Sequence, residues 1–352
     1  MTVRVRVEGS LLKWARERSR QSLEDLSSRF PHLPAWERGE VEPTVKQLEK
    51  FAQATHTPIG YLFLEMPPEE HISIPDYRTI GDIGVTKPSA DLLDTLYLCQ
   101  QRQEWYRDFA LQNRQDRIPF VRSVDVGAPV VEVAKQMRTI LSFDVSNRGS
   151  NWTDALKNLF EGADAKGILV MVNGVVGSNT HSKLDPHEFR GFALVDDLAP
   201  VIFVNGADTK AAQVFTLAHE LAHIWLGESA ISNADLTSTT TNAVERWCNQ
   251  VASEFLVPID TIRGLSSEVV LRDGEIERLA RRFKVSTLVI LRRIYDAGIL
   301  GWEHYRRVYA EELDRILKLM EDRSGGGGGN FYNTQPLRVS KRFARALIIS
   351  TL

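Results

Sequence analysis

The chain has 352 residues, 43% hydrophobic and 25% charged, with a formal net charge of −3. That length supports two or three domains with substantial cores, and the near-neutral balance excludes a generally basic nucleic-acid binder, leaving only local patches for such a role. Cys99 and Cys248 are too few for a disulfide framework, no apolar run reaches the roughly 18 residues a membrane helix needs, and the N-terminus is no signal peptide, so a cytoplasmic protein with no membrane partner is expected.

In chain order, residues 3–7 alternate valine and arginine, a strand pattern. From Gly9 to about Leu64 the pattern becomes that of short helices, one begun by Leu11, Leu12, Trp14 and Ala15 and the next capped by Ser22. Trp36-Glu37-Arg38-Gly39-Glu40, then Pro43-Thr44 with Leu48, and Pro58 with Leu62-Phe63 follow. This order resembles the Xre/Cro-type helix-turn-helix over roughly residues 9–64. The likeness places a recognition helix near residues 31–37, but Pro34 disfavours helix at Leu33. No Arg, Lys, Asn or Gln lies there to read base edges, so a module for protein contacts is expected rather than an operator reader.

Met66-Pro67-Pro68-Glu69-Glu70 reads as a linker, continued in extended form by Ile74-Pro75-Asp76-Tyr77-Arg78. Helices are expected over 88–113, 130–141 and 152–160, and strands over 168–173, 188–195 and 201–205. Asp208 or Thr209 then caps a helix that contains Gln213-Val-Phe-Thr-Leu-Ala-His219-Glu220-Leu-Ala-His223-Ile-Trp-Leu226 and ends at Gly227.

That helix carries the chemistry. Four residues are slightly more than one turn, so His219 and His223 sit about 40° apart on one face, where two imidazoles can share a Zn²⁺ ion. Glu220 projects roughly 100° round from His219, near enough to serve as a base beside the metal without ligating it. A core helix with two hydrogen-bonded histidines also fits the five-residue pattern. However, the helix is apolar nearly all round, and burial of three polar side chains favours a metal that offsets their desolvation.

A catalytic zinc usually has three protein ligands. Residues 242–257 read as a helix stopped by Pro258, with two candidate carboxylates. Glu245 shares an otherwise apolar face, within about 60°, with Asn249, Ala252 and Leu256, whereas Glu254 lies about 180° away beside Gln250 on a face that reads as solvated. Glu245 is the expected ligand, Asn249 its hydrogen-bonding support, and Glu254 the fallback. Asn242-x-x-Glu245 also fits a helix capping box.

His219-Glu220-Leu-Ala-His223 followed by Glu245-x-x-x-Asn249-x-x-Ala252-x-Glu254-x-Leu-x-Pro258 resembles the ImmA/IrrE family of zinc metallopeptidases over about residues 155–265. Cys248 and Val251 depart from the family's small and aromatic positions, and Phe189-Arg-Gly-Phe-Ala and Ile202-Phe-Val-Asn205 look family-like. The resemblance implies a gluzincin, with two histidines and one glutamate on one Zn²⁺ per chain, fused to an Xre-type module. It also implies cleavage of phage or stress-response repressors, or a place in toxin–antitoxin pairs. Glu220 would be the catalytic base. His181, His187, Arg190 and His304 are candidates for the oxyanion donor by chemistry alone.

Residues 275–300 resemble a second helix-turn-helix through Leu279-Ala280-x-x-Phe283-x-Val285-Ser286. Arg278, Arg281, Arg282, Lys284, Arg292 and Arg293 form a positive block that is either a nucleic-acid footprint or a solvated face. Ser324 and residues 325–329, all glycine, make a flexible joint. Phe331, Tyr332 and the basic-apolar run from Lys341 to Ile349 make a tail that something should cover, as at the edge of a longer chain.

The expected fold class is α+β and mostly helical. A helix-turn-helix bundle (1–66) and a helical linker region (67–150) lead to a zincin-like domain with a small sheet (151–265). A helical region (266–323) and a joint with tail (324–352) follow. The expected function is a zinc endopeptidase acting on a regulatory protein, a repressor or an antitoxin-like partner, with DNA a further candidate partner and the oligomeric state open, a dimer included. The alternatives are an Xre-type regulator or antitoxin whose zincin-like domain is a binding scaffold, and an inactive peptidase fold that holds a toxin.

Overall fold

The structure is a computed structural model that describes residues 3–19, 21–68, 72, 74–77, 88–232, 242–322 and 338–351. The chain forms two units, one of residues 1–73 with 86–97, the other of residues 74–85 with 98–352.

The first unit contains α1 (Gly9–Arg18), α2 (Leu23–Arg29), α3 (Leu33–Glu37), α4 (Val45–Ala54) and a 3-10 turn, Ile59–Phe63. Leu12, Leu26, Phe30, Leu33, Trp36, Leu48, Phe51 and Leu62 close its core. Its helices start where the local chemistry dictates: Ser22 with Asp25, and Thr44 with Gln47, form reciprocal capping boxes that satisfy the first free backbone donors. Pro34 does not prevent helix at Leu33, contrary to the sequence expectation. It sits in the first turn of a five-residue helix, where its missing N–H would have had no partner. α1 passes so close to α3 that a Cβ on Gly9 would lie 2.1 Å from the Glu37 carbonyl oxygen. Arg16 binds the Glu37 carboxylate with two bonds of 2.7 and 3.1 Å. The strand expected at residues 3–7 shrinks to a single bridge between Arg4 and Thr44, because its neighbour turns at once into α4.

Helix α5 (Ala90–Gln112) contributes its last fifteen residues to the second unit. α6 (Val130–Leu141) and α7 (Trp152–Ala165) precede a four-stranded sheet of order β1-β5-β4-β6. Its strands are β1 (Leu169–Asn173), β4 (Gly191–Leu194), β5 (Val201–Asn205) and β6 (Ala230–Ser232). β1 and β5 run parallel, with Leu169 opposite Val201, while β4 is antiparallel to both β5 and β6. A side hairpin, β2 (Val175–Val176) with β3 (Asn179–Lys183), was not expected from the sequence, nor was β6.

α8 (Lys210–Leu226) carries the two histidines and lies buried from Gln213 onward. Thr209, one of the two anticipated caps, accepts from Ala212 N–H, and Gly227 ends the helix in the left-handed region at φ 83°. α9 (Ala243–Leu256) packs against α6 and α8. α10 (Ser267–Val270), α11 (Glu275–Phe283), α12 (Thr287–Asp296) and α13 (Trp302–Asp322) follow. Their residues Leu279, Phe283, Ile290, Ile294 and Tyr305 belong to the same apolar core as Phe160, Leu221 and Phe255. Residue 265 therefore marks no break in the core. α14 (Lys341–Thr351) docks by its first turns: Arg342 N–H donates to the Asp164 carboxylate, the Arg342 guanidinium donates to the Tyr106 hydroxyl, and Phe343 packs edge-on to Trp105. Leu347, Ile348 and Ile349 remain exposed. The glycine joint, Phe331 and Tyr332 lie outside the described residues.

Candidate metal centre

The two helices that carry the candidate ligands cross so that three side chains meet. His219 Nε2 and His223 Nε2 are 3.1 Å apart, and the Glu245 carboxylate lies 3.3 Å from the first and 3.1 Å from the second. All three residues are buried, and one ligand atom from each falls within 4.8 Å of the other two. Two ring nitrogens this close can hold at most one proton between them, so the second presents a lone pair. Ligands about 2.0–2.1 Å from a tetrahedral Zn²⁺ stand roughly 3.3 Å apart, the spacing found here. The donor set therefore fits zinc.

The electrostatics agree with a cation site. Burial works against ionised Glu245, but the His219 and His223 rings beside it hold its pKa down to about 2. Burial opposes charge on His219 too, yet the neighbouring Glu245 carboxylate raises its pKa above the ordinary value. Burial dominates at His223, whose pKa is lowered. Asn249, one turn beyond Glu245 on α9, sets the His219 ring through a 3.0 Å contact to Nδ1, which leaves Nε2 aimed at the cluster. Asn242 caps α9 by accepting from Val244 and Glu245 N–H, so the cap is real, but the Glu245 carboxylate turns to the imidazoles.

Glu220, the next residue along α8, lies under strand β4 and near enough to His219 and Glu245 to feel their charge. A Cβ on Gly191 would lie 2.6 Å from Thr216 Cγ2, 2.9 Å from the Phe203 carbonyl oxygen and 3.1 Å from Glu220 Oε1, which is why glycine stands in Phe189-Arg-Gly-Phe-Ala. Among the described residues neither Glu220 carboxylate oxygen has a hydrogen bond of good geometry, the Ser232 hydroxyl offering only a weak one, and burial pushes its pKa up to about 8. A buried carboxylate so weakly partnered is costly, and such groups concentrate where chemistry is done.

Glu254 requires a correction. Its face of α9 is not solvated: the residue is 3% exposed, its carboxylate forms an ion pair with Arg293, and it accepts from Ile259 N–H. Glu254 is therefore committed elsewhere and is not placed to ligate. The same pair corrects Arg293, which is buried and also donates to the Val257 carbonyl, so it cannot reach nucleic acid. Arg278 pairs with Glu275, Arg292 with Asp296, and Lys284 donates to the carbonyls of Ser150 and Arg281. Of the positive block, Arg281 and Arg282 stay exposed with no ion pair among the described residues, and Arg282 lies over the Phe283 ring.

Among the oxyanion candidates with described side chains, none bonds to His219, His223 or Glu245. His187 is exposed, Arg190 pairs with Asp208, and His304 sits half-buried on α13. The His181 side chain lies outside the described residues. Sequence reasoning missed Ser232, wholly buried with its hydroxyl 3.5 Å from His223 Nε2. It stands in a three-residue strand with no motif to mark it. Also missed were the arginines that grip the end of α9: Arg138 donates to the Glu254 and Phe255 carbonyls, and Arg148, wholly buried, donates to those of Phe255, Leu256 and Phe283.

No helix among the described residues is long and apolar enough to cross a membrane. No curated protein matches the chain. Residues 163–295, from the end of α7 to α12 and including His219, Glu220, His223, Glu245 and Asn249, match the model of one metallopeptidase family, Peptidase_M78, described as the IrrE N-terminal-like domain.

Proposed function

We propose that this chain is a zinc-dependent endopeptidase of the ImmA/IrrE type that cleaves a regulatory protein, a repressor or antitoxin-like partner, in the cytoplasm. The single observation that carries the reading is the convergence of His219, His223 and Glu245 from two helices, with the buried Glu220 carboxylate one residue along from His219. His219, His223 and Glu245 would hold the ion, and Asn249 fixes the first ring. Zinc bound there supplies a Lewis acid that makes a water acidic and a peptide carbonyl electrophilic. Glu220 would take one proton as the water oxygen bonds to the carbonyl carbon and return it to the amine nitrogen as the C–N bond breaks, and the water's second proton follows to leave a carboxylate and an ammonium group. Its raised pKa also matches the role, since a nearby cation brings such a carboxyl back into the range where it can accept a proton at neutral pH.

A second reading, an Xre-type regulator with the metal domain as scaffold, is favoured by the helical first unit with its own core. The two separate experimentally. Protein purified without chelator is expected to carry about one zinc per chain, reduced sharply by His219→Ala. Co-expression with the product of the neighbouring gene is expected to yield a cleaved partner, while Glu220→Gln keeps the zinc and leaves the partner whole. A partner that co-purifies intact with the zinc-loaded wild type supports the scaffold instead.

A further inference from the structure

β6 is the end strand of the sheet on the metal side: Ser232 Oγ lies 3.5 Å from His223 Nε2, and the strand's inner edge is taken by β4. The outer edge of such a strand is where an extended peptide adds by main-chain hydrogen bonds. Here that edge is already in use. Residues 75–77 run parallel to it with a bridge between Asp76 and Ile231; Tyr77 N–H donates to the Ile231 carbonyl at 3.0 Å, and Ile231 N–H donates to the Pro75 carbonyl at 3.0 Å. The Tyr77 hydroxyl hydrogen-bonds with Asn242, three residues before Glu245. The segment is thus tied to β6 by its backbone and to the start of α9 by its side chain.

We propose that residues 75–77 occupy the strand position on β6 that a peptide substrate takes, so that the resting protein is self-blocked and a substrate must displace this segment. The proposal rests on the peptidase reading above, since it concerns access to that site. Two observations make displacement feasible. Among the described residues the pairing is a single bridge with two main-chain bonds, short enough for a longer peptide to outcompete. Tyr77 and Asp76 are only half-buried and Pro75 is exposed, so little apolar surface holds the segment down.

The test uses the zinc-loaded full chain and two probes: acetohydroxamate, which needs only the metal, and a tetra-alanyl hydroxamate, which needs the metal and a free strand edge. Tyr77→Pro removes the N–H that binds Ile231, whereas Tyr77→Phe keeps it and loses only the hydroxyl. Tyr77→Pro is expected to bind the peptide hydroxamate about tenfold more tightly than wild type, and Tyr77→Phe, which keeps both main-chain bonds and loses only the tie to Asn242, to gain clearly less, with acetohydroxamate binding unchanged in both. In wild-type protein, adding the peptide hydroxamate should speed amide exchange at Tyr77 while Ile231 N–H stays protected.

Equal peptide affinity in Tyr77→Pro and wild type, a gain in Tyr77→Phe as large as in Tyr77→Pro, or a Tyr77 amide that stays protected would each overturn the proposal. The exchange measurement decides the matter on wild type should Tyr77→Pro fail to fold. Failure to bind zinc or acetohydroxamate sinks the peptidase reading instead, and this one with it.

Discussion

Helix α9 carries a buried glutamate at each end, and the two ends have opposite chemistry. At the start, Glu245 meets two imidazoles, groups that can give up their protons and accept a metal in their place. At the finish, Glu254 meets Arg293, with Arg138 and Arg148 on the carbonyls alongside, groups that stay charged at any physiological pH. Charge at the finish is already balanced by the chain itself. At the start it is balanced only by a proton or an ion from outside. Burial alone therefore does not identify a ligand; the partner's ability to lose its proton does.

Substitution at each end separates the two roles. Glu245→Gln should cut zinc affinity by more than the roughly 100-fold that loss of a supporting hydrogen bond can cost. Its thermal midpoint should then fail to rise on adding zinc, whereas zinc at 100 times its dissociation constant adds about 2.7 kcal/mol to wild type. Arg293→Met should leave zinc binding intact and lower stability by about 3–5 kcal/mol, because Glu254 is then a buried charge without its partner. Urea unfolding measures this, and adding Glu254→Gln should recover part of the loss. Full stability in Arg293→Met would contradict the division between the two ends.

Asn249→Ala should weaken zinc binding by about 10–100-fold, a smaller effect since the ligand itself remains and only its ring orientation is freed. The last expected effect is on pH dependence without metal. Glu220 has its pKa raised in the fold from 4.5 to about 8. The folded state thus binds the proton more tightly than the unfolded chain, and the stability this contributes is complete below pH 4.5 and lost as pH rises towards about 8. His219, also raised, acts in the same direction, whereas His223, lowered, opposes them near its ordinary value of 6.5 and offsets part of the fall. Glu245, lowered to about 2, has its stabilising effect above pH 4.5 and loses it only as pH falls towards 2, outside that window. The thermal midpoint of metal-free protein should fall between pH 5 and 8, and Glu220→Gln should flatten that fall.

The fold was legible where one period or one cap decides it. The α8 helix could be read from its apolar run and Gly227, and α6 from its spacing to the residue. The choice of Glu245 over Glu254 used the helical period, which separated the two faces correctly but misjudged the second. Gln250 and Arg246 are exposed as expected, yet Glu254 is covered, because Arg293 comes from α12 almost forty residues later. A single helix's pattern cannot show what another element brings to it. β6 and the pairing of residues 75–77 were illegible for the same reason: a three-residue strand and a one-bridge contact depend on neighbours distant in sequence. Pro34 misled because a proline's cost depends on its position within the turn, which the residue type does not reveal.

The clamp of Arg138, Arg148 and Arg293 on the end of α9 has a kinetic consequence. A carboxylate anchored by its helix's far end keeps its place whether or not the cavity is filled. Exchange of the ion is then expected without unravelling of α9. Stripping by a small chelator should proceed at a pace indifferent to mild denaturant, and reloading should restore the filled state without a refolding step.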